Sequence, residues 1–413
     1  MKSIIGFLSI PLFLLGCGSS NESESLNSFE LTNKLAFQRL DESVVIPFSS
    51  LESYIGSSSF KLIDSKDSAE IAYQLDDLDQ DGQWDELALI ANFKANETKT
   101  ITIIPNEEPS VFPTRTNIHL GYSSSRNDTF LAQTEHLRPK DHLPQSKPWL
   151  YQFEGPGWEN DKVAFRAYFD DRNGKDIFGK LTNEMVLSEV GLPIGTEEGN
   201  YHKVKPWGMD VLKVGPSLGA GALGMMVDDS LYRLTETSRA NFKIITEGPV
   251  RSIFELNYEG WDVKEGTYDL TERITIWAGQ YDYTSEVNVT PFPEGKIVTG
   301  LVTMKTNNPI KEVKNEHYAA ISSFDEQQSE NHDALGLAII SPLSSFDRFA
   351  FADSLLSDVK NSALVAFKGS ANYKFVAGWG QSNIQLNSGS NFEELVKTTG
   401  ERMSSHILIE LGK

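Results

Sequence analysis

Cysteine is almost absent from this chain. Its 413 residues include one cysteine, Cys17, so no intramolecular disulfide can form. The apolar run near the start, from Ile4 to Leu15, is too short to span a bilayer. Basic side chains are also scarce, with 37 Lys and Arg against 58 Asp and Glu. This balance argues against nucleic acid as a partner, because its phosphates would be repelled, whereas a local Arg and Lys cluster can still bind an anionic sugar.

The first residues have the pattern of a targeting signal. Lys2 precedes the apolar run, which ends in Leu14, Leu15, Gly16 and Cys17. A short apolar run after a basic residue predicts a signal peptide over residues 1–16. The small residue before Cys17 resembles a bacterial lipoprotein signal, which implies that Cys17 becomes a lipidated N-terminus; the alternative is an ordinary signal peptide with an incidental Cys. We therefore expect a lipid bilayer as a partner through Cys17 and a location in the bacterial cell envelope, in the outer membrane or periplasm.

The segments that follow predict an all-β protein with two regions. Residues 17–28 are small and polar and predict a flexible tether. Residues 29–147 predict a smaller N-terminal β module and a connection, because short β-branched or aromatic runs alternate there with turn residues. Its predicted strands are 29–40, 43–48, 60–64, 70–75, 86–93 and 99–104. The proline-containing part from 107 to 147 predicts a long connection or a pair of edge strands.

Longer strand patterns dominate residues 148–413. The predicted strands are 151–153, 163–170, 222–227, 230–235, 241–247, 250–258, 268–277, 281–290, 297–304, 334–340, 362–368, 372–379 and 405–411. Helical spacing is clear only over 391–399, where Gly400 is the expected stop. Many long antiparallel strands with polar connections predict a large β-sandwich, whose concave face can hold an extended ligand.

Residues 163–170 alternate as a half-buried strand does. Phe165 and its alternate neighbours predict a core face, whereas Arg166, Tyr168 and Asp170 fall on the other face. A solvated outer face is one interpretation of that pattern. The Gly and Trp residues before the strand and Arg172 after it favour a binding site instead.

A second polar segment adds a histidine. His202 lies next to Tyr201 and shortly before Trp207 and Asp210, in a turn-rich stretch. Most isolated histidines are surface or core residues, but the neighbouring Tyr201, Trp207 and Asp210 favour an active-site loop. The glycines that follow, Gly215, Gly219, Gly221 and Gly224, lack the strand-to-helix context of a nucleotide loop and predict turns or close packing. No organic cofactor is expected.

Tryptophans supply candidate sugar platforms. Sugar C–H faces pack on aromatic rings, although a β core uses Trp as readily. Trp277, within an alternating strand, is expected in the core, and Trp379, between two glycines, is the better platform. The predicted substrate-binding residues are Trp158, Glu159, Tyr201, Trp207, Trp379 and His317.

Residues 77–85 carry the pattern D-x-D-x-D-G-x-x-D between two predicted strands. Asp77, Asp79, Asp81 and Asp85 offer carboxylate oxygens, and Gly82 permits a tight turn, as calcium loops require. The glutamate that ends an EF-hand loop is replaced by Ala88, so a hairpin calcium loop is expected, with Glu86 as a possible further ligand. A polar turn without an ion is the alternative. Either way the loop has a structural role.

Three motifs together resemble a known family. They are E-G-P-G-W-E at 154–159, R-x-Y-x-D-x-R-N-x-x-D-I-F-G-K at 166–180, and W-G-M-D-x-L-K-V-G-x-S-L-G-A-G at 207–221. They are similar to those of a bacterial family catalogued as a domain of unknown function, which includes oligosaccharide dehydratases of ulvan-degrading marine bacteria. The resemblance runs from about Phe29 to the C-terminus and implies a β-supersandwich of the galactose-mutarotase type.

The implied reaction is loss of water from the terminal uronic acid of an acidic oligosaccharide, giving a 4,5-unsaturated sugar. Elimination requires a cation at the carboxylate, a base near C5 and an acid near the leaving O4 hydroxyl. Our hypothesis assigns these roles from the chemistry: carboxylate binding to Arg166 and Arg172, proton transfer to His202 and Tyr168, and orientation of His202 to Asp210 or Asp170. His317 is the reserve for proton transfer.

Three other functions stay open. A polysaccharide lyase uses the same elimination with a sugar as the leaving group. A glycoside hydrolase needs two facing carboxylates, for which Glu159 and Asp170 are candidates. A non-catalytic glycan-binding lipoprotein would need the Trp platform but no base.

Overall fold

The computed structural model describes residues 27–52, 59–125, 129–140, 142, 149–235 and 237–412. The predicted signal peptide, Cys17 and nearly all of the predicted tether lie outside these residues. Ser28, the last tether residue, already belongs to the first strand. Within the described ranges, no helix is both long enough and apolar enough to cross a bilayer.

The described residues before 149 form ten strands and one short helix. The strands are β1 Ser28–Thr32, β2 Arg39–Pro47, β3 Phe60–Asp64, β4 Tyr73–Asp76, β5 Glu86–Phe93, β6 Thr98–Pro105, β7 Thr116–His119, β8 Gly121–Tyr122, β9 Leu131–Ala132 and β10 Glu135–Leu137, and the helix is α1 Phe48–Leu51. β7 and β10 lie at the edges of two sheets, which agrees with the edge-strand interpretation of residues 107–147.

The described residues from 149 onward form eighteen more strands and one long helix. The strands are β11 Gly157–Asn160, β12 Val163–Ala167, β13 Lys175–Lys180, β14 Gly208–Asp210, β15 Ala220–Val227, β16 Ser230–Arg233, β17 Arg239–Glu247, β18 Arg251–Val263, β19 Gly266–Trp277, β20 Asp282–Thr290, β21 Lys296–Val302, β22 Lys311–Lys314, β23 Tyr318–Asp325, β24 Leu335–Pro342, β25 Phe346–Phe351, β26 Ser362–Phe367, β27 Ala371–Trp379 and β28 Leu408–Leu411. The helix is α2 Gly389–Ser404, and the 3₁₀ turns are Gln152–Glu154, Ala352–Ser354 and Ile384–Asn387.

Two small antiparallel sheets enclose the N-terminal core. Their strand orders are β28-β1-β6-β3 and β2-β5-β4. The alternating apolar residues of these strands, such as Phe29, Leu62, Leu89 and Ile101, meet between them. Because β28 pairs with β1, the end of the chain completes the sheet that its beginning starts.

The larger region is a β-sandwich. One nine-stranded sheet, β10-β17-β18-β19-β20-β27-β24-β23-β22, shares a core with two five-stranded sheets, β14-β13-β12-β11-β7 and β16-β15-β21-β26-β25. β8 and β9 form a separate two-stranded ladder. Trp158 and Phe165 of one five-stranded sheet pack against Phe254 and Tyr283 of the nine-stranded sheet. These stacked antiparallel sheets confirm the predicted all-β sandwich.

Several local predictions need correction. The single strand expected over 29–40 is two strands, because β1 ends at Thr32 and β2 begins only at Arg39. Residues 151–153 were expected as a strand but run into a 3₁₀ turn, where Phe153 has a positive φ of 39°. The strand expected over 163–170 ends at Ala167; residues 168 and 169 are irregular, and a bend begins at Asp170. Gly400 lies inside α2, not at its end: a Cβ there would come within 2.6 Å of the Tyr318 ring, so the glycine permits close helix-to-sheet packing.

Candidate active site

Sheet register gathers the polar residues of the site on one face of β12, β13 and β14. Arg166 lies directly opposite Asp176, and Asp210 lies opposite Phe178, two residues farther along β13. Since side chains two residues apart share a face, all four residues point to the same side. Phe165 and Ile177 point to the other side, into the sandwich core. The predicted alternation of β12 was therefore correct, but its polar face is buried rather than solvated.

This face forms the wall of a cleft of about 960 Å³, near the upper end of ordinary ligand pockets, roughly 300–1,000 Å³. Of the predicted catalytic residues, Arg166, Tyr168, Arg172, His202 and Asp210 line it. Residues from β16 and from the 212–215 and 357–359 segments form other parts of the lining. The two sequence motifs around 154–180 and 201–226 therefore meet in one cavity.

Arg166 is the centre of the wall. Its Nη2 lies 2.7 Å from Asp176 Oδ2 and 2.8 Å from Asp210 Oδ2, and Nη1 lies 3.2 Å from Glu154 Oε2. Nη1 also donates to the Tyr201 hydroxyl at 3.1 Å. The side chain is only 2% exposed. Because these partners occupy both terminal nitrogens of the guanidinium, Arg166 orients its neighbours. Its buried Nε has no hydrogen-bond partner among the described residues.

Tyr168 and Asp176 form a hydrogen-bonded pair at the cleft wall. The Tyr168 hydroxyl donates to Asp176 Oδ2 at 2.6 Å. Burial, with the nearby Asp210 charge adding to it, raises the pKa of Asp176 to about 6, against the opposing effect of Arg166. Burial and the Asp176 charge together raise the pKa of Tyr168 well above its usual value. Tyr168 is therefore a protonated hydroxyl at neutral pH.

His202 and Asp210 form a second pair. His202 Nδ1 lies 3.2 Å from Asp210 Oδ2, and the imidazole side chain is 65% exposed, whereas Asp210 is buried. The hydrogen bond to Asp210 raises the pKa of His202. Since Nδ1–H donates to the carboxylate in the neutral ring, the Nε2 lone pair is left for a ligand in the cleft.

Arg172 closes one side of the cleft over the Tyr168 ring, with its guanidinium carbon 4.1 Å from the ring centroid. Its Nη2 lies 2.7 Å from Asp170 Oδ2 and 2.8 Å from Glu154 Oε1. The side chain is still about one-third exposed. Asp170 is buried and holds Arg172, so its partner is this arginine and not His202.

The backbone beside the site is strained. Phe153 and Glu154 are consecutive non-glycine residues with φ of 39° and 75°. Such conformations cost on the order of 1–3 kcal/mol each and persist only when the surroundings impose them. Here the Phe153 carbonyl accepts from Arg166, and the Glu154 carboxylate contacts both Arg166 and Arg172. The two arginines lower the pKa of Glu154, although burial alone would raise it.

A further arginine, Arg233, lines the cleft without a carboxylate partner among the described residues. Its guanidinium donates to the carbonyl oxygens of Arg172, Pro216 and Ser217, the last at 2.7 Å. Burial, together with the charge of Arg172, lowers the pKa of Arg233. Lys213 is the fourth cation of the lining, after Arg166, Arg172 and Arg233. We call Arg172, Lys213 and Arg233 the cationic part of the cleft. The same lining also carries seven acidic side chains: Glu154, Asp171, Asp176, Asp210, Asp262, Glu330 and Asp358.

Several predicted substrate-binding residues lie outside this cleft. Trp158 is fully buried in the sandwich core and cannot stack on a sugar. Glu159 is also fully buried and pairs with Lys180 at 2.5 Å. Trp379 is buried against Gly179 and donates its indole N–H to Asp333 at 2.7 Å, so it is a packing residue rather than a platform.

The remaining three predicted binding residues are partly or fully exposed. Tyr201 contacts Arg166 from the neighbouring loop. Trp207 packs edge-on against Phe178 and does not line the cleft. His317 is exposed near β22, at the edge of the nine-stranded sheet, and does not line the cleft. Trp277, expected in the core, is buried.

The aspartate loop assembles three of its four predicted ligands. Oxygen atoms of Asp77, Asp79 and Asp85 all lie within 4.8 Å of one another. Asp81 is not in this group, and its carboxylate accepts from the backbone N–H of Gln83. The three carboxylates fit a hard cation such as calcium, which prefers oxygen ligands. Calcium binding at this loop stays a prediction.

Glu154, Asp176 and Arg233 belong to the site but were not among the predicted site residues. Glu154 and Asp176 lie within the quoted motifs, and their sequence signal was an acidic residue next to Gly-Pro-Gly or to Ile-Phe-Gly. Arg233 carries no such signal, because it reaches the cleft only through the pairing of β16 with β15.

Fold and site together define an all-β sandwich protein with an arginine-centred acid and base cluster in a deep cleft. The chain belongs to the family described as Domain of unknown function (DUF4861), whose model matches residues 31–409. A curated relative, Uncharacterized protein P7 of Formosa agariphila, is 22% identical over 436 residues, covering 100% of both chains.

Two solved structures match this chain. An alpha-mannosidase from Enterococcus faecalis V583 matches with a TM-score of 0.51 and 9% identity, over 94% of this chain and 46% of that one. A protein in the glycosyl hydrolase family 38 from Enterococcus faecalis has a TM-score of 0.44, again at 9% identity, over 94% of this chain and 48% of that one. The chain thus spans about half the length of these structures, and the first likeness shows the fold.

Proposed function

We propose that this protein is a carbohydrate-active lyase that removes water from the terminal uronic acid of an acidic oligosaccharide, leaving a 4,5-unsaturated sugar. The proposal rests on His202 and Tyr168, which line the same cleft. Hydrogen bonds and ion pairs through Asp210, Arg166 and Asp176 connect the two side chains. The fold likeness to an alpha-mannosidase supports a glycan as the ligand. Family resemblance supports an ulvan-type oligosaccharide.

In this proposal His202 is the base. The C5–H bond breaks, its proton goes to Nε2, and its electron pair forms the C4=C5 double bond. Asp210 holds the ring and stabilises the imidazolium that results. His202 suits this role because its imidazole is exposed to the cleft while Asp210 beneath it is buried.

Tyr168 is the acid. The C4–O bond breaks as the double bond forms, and the hydroxyl leaves as water with the Tyr168 proton. The raised pKa of Tyr168 keeps the hydroxyl protonated at neutral pH. In the structure this proton lies in the hydrogen bond to Asp176, so the hydroxyl must turn toward the leaving oxygen to donate it. Arg166 Nη2, which donates to the Tyr168 oxygen at 3.4 Å, stabilises the phenolate that forms.

The cationic part of the cleft binds the uronate carboxylate. Arg172 is partly exposed. Arg233 and Lys213 lie in the same lining, and within the described part of the chain neither forms an ion pair with a carboxylate. Neutralising the carboxylate makes the neighbouring C5 proton more acidic, since it stabilises the charge that develops there. Arg166 was expected to share this task, but we assign it a positioning role because both of its terminal nitrogens already bind carboxylates and its side chain is buried.

The other functions remain outcomes of the test. The hydrolase pair Glu159 and Asp170 has little support, because each is buried and paired with a cation. A lyase that cleaves the glycosidic bond would use the same His202 and Tyr168. We also propose that Cys17 carries lipid and anchors the domain in the bacterial cell envelope.

The experiment that tests this proposal measures the mass of the oligosaccharide products and the ultraviolet absorbance of the reaction mixture. Purified protein is incubated with uronic-acid-terminated oligosaccharides, ulvan-derived ones included. Loss of one water without shortening, with new absorbance from a conjugated double bond, supports the dehydratase. Shorter unsaturated products would mean a polysaccharide lyase, and shorter saturated ones a hydrolase. Binding without any product would leave the glycan-binding function.

A further inference from the structure

A second cavity adjoins the active-site cleft. It has a volume of about 430 Å³ and is lined by the loop from Gly191 to His202, with Tyr151 and Phe153 also contributing. Glu154 and His202 line both this cavity and the cleft. The imidazole proposed as the base therefore lies at the junction of two cavities.

The lining of this second cavity fits a sugar ring. Phe153 and Tyr201 supply aromatic carbon, and Ile194, about 39% exposed, adds an apolar side chain. Thr196 and Asn200 supply polar groups, as hydroxyl recognition requires. Both polar side chains are held in place: the Thr196 hydroxyl donates to the Pro193 carbonyl, and Asn200 accepts from the backbone N–H of His202. These bonds orient the two side chains within the loop.

We infer that this cavity is the subsite for the second sugar residue of the substrate, an inference that rests on the proposed elimination. In a pyranose, C5 and C1 are both bonded to the ring oxygen. A base that reaches C5 is therefore close to the C1 glycosidic linkage. With the uronic acid in the cleft and its C5 at His202, the chain continues past His202 into the second cavity. The substrate is at least a disaccharide, with the loop from Gly191 to His202 gripping its second ring.

The test fills this cavity and compares two substrates. Ile194→Trp adds bulk to the cavity, and Val204→Trp is its control, because Val204 is exposed on the same segment and lines neither cavity. The substrates are a disaccharide with a terminal uronic acid and the methyl glycoside of that acid. We expect Ile194→Trp to raise KM for the disaccharide about tenfold or more. Its KM for the methyl glycoside should stay at the wild-type value, and Val204→Trp should change neither KM. Equal effects on both substrates, or none, would overturn the subsite.

Calorimetry separates this inference from the reaction. A 4-deoxy analogue of each ligand has no hydroxyl to lose, so its binding is independent of elimination. Tighter binding of the disaccharide analogue than of the methyl glycoside analogue, lost in Ile194→Trp, supports the subsite even if no substrate is turned over. Equal binding of the two analogues by the wild-type protein contradicts it, whatever the activity.

Discussion

Two groups of carboxylates on this molecule differ in what holds them. In the loop at residues 77–85, Asp77 accepts from the backbone N–H groups of Asp81 and Gly82, and Asp85 accepts from that of Leu78. In the cleft, Asp176 and Asp210 are buried around the Arg166 guanidinium. In the loop, backbone N–H groups and no arginine side chain hold Asp77 and Asp85 among the described residues, and three of the loop carboxylates lie close enough together to share a cation. An arginine instead neutralises the cleft carboxylates, so their work is to position and tune Tyr168 and His202.

The sharpest way to break this contrast is to remove the central arginine. Arg166→Met leaves Asp176 and Asp210 buried without their shared cation, and loss of one partner of a buried ion pair costs about 3–5 kcal/mol. Chemical denaturation should show this loss, and activity should disappear. Arg273→Met is the control, because its pair with Glu255 is partly exposed and worth about 1 kcal/mol or less. Equal destabilisation by both changes would contradict the account.

Removing the proposed base should affect activity and not folding. His202→Ala should lower kcat by about 10²–10⁴-fold, the usual contribution of a general base. The melting temperature should hardly change, since the side chain is mostly exposed. His317→Ala, on an exposed histidine outside the cleft, should retain full activity. Unchanged turnover in His202→Ala would remove this residue from the mechanism.

Substituting Arg233, which has no carboxylate partner among the described residues, should weaken substrate binding more than it slows the chemical step. Arg233→Gln removes a charge from the cleft and should raise KM about tenfold, equivalent to about 1.4 kcal/mol. Steady-state kinetics on a uronic-acid-terminated oligosaccharide measures this change. On the corresponding sugar without the carboxylate, wild type and Arg233→Gln should bind alike in calorimetry. A selective fall in kcat would place Arg233 in the chemical step instead.

The histidine pair predicts a pH dependence. His202 must be neutral to accept a proton, and the bond to Asp210 raises its pKa, so activity should fall as pH drops through that raised value. Asp210→Asn removes the main cause of the shift, and its remaining activity should persist to lower pH than that of the wild type. A pH profile of kcat/KM checks this. An acid limb that stays in place in Asp210→Asn would contradict the pairing.

The aspartate loop should give the smallest effect. If calcium binds Asp77, Asp79 and Asp85, adding it should raise the melting temperature by a few degrees, through preferential binding to the folded state. Chelation should reverse the shift, and Asp79→Asn should abolish it. Kinetic constants should be unchanged, because none of these residues lines the cleft. A melting temperature insensitive to calcium would favour a solvated turn.

The sequence predicted the local part of the site better than the distant part. Period-two alternation correctly put Arg166 and Phe165 on opposite faces of β12. It could not show that the loop carrying His202 covers the polar face, because that depends on contacts between distant segments. Trp158 was misassigned for a related reason: strand alternation does not say which of two buried faces a ligand reaches.

Two other local predictions failed because tertiary contacts determine the backbone conformation at those positions. Residues 151–153 have strand-forming side chains, yet the contacts with Arg166 hold Phe153 in a conformation that no propensity favours. Glycine commonly ends a helix, but Gly400 lies within α2 and allows it to pack closely on Tyr318. The fold class was predictable, by contrast, since most of the long strands are β-branched or aromatic runs bounded by turn residues, although β13 and β23 were not predicted.

The central claim is that His202 and Tyr168 eliminate water from a terminal uronic acid, and mass spectrometry tests it most directly. Uronic-acid-terminated oligosaccharides are analysed before and after incubation with wild type, with His202→Ala and with His317→Ala. The account predicts loss of one water at constant chain length for wild type and His317→Ala, and unchanged substrate for His202→Ala. Saturated, shortened products from the wild type, or dehydration that persists in His202→Ala, would contradict it.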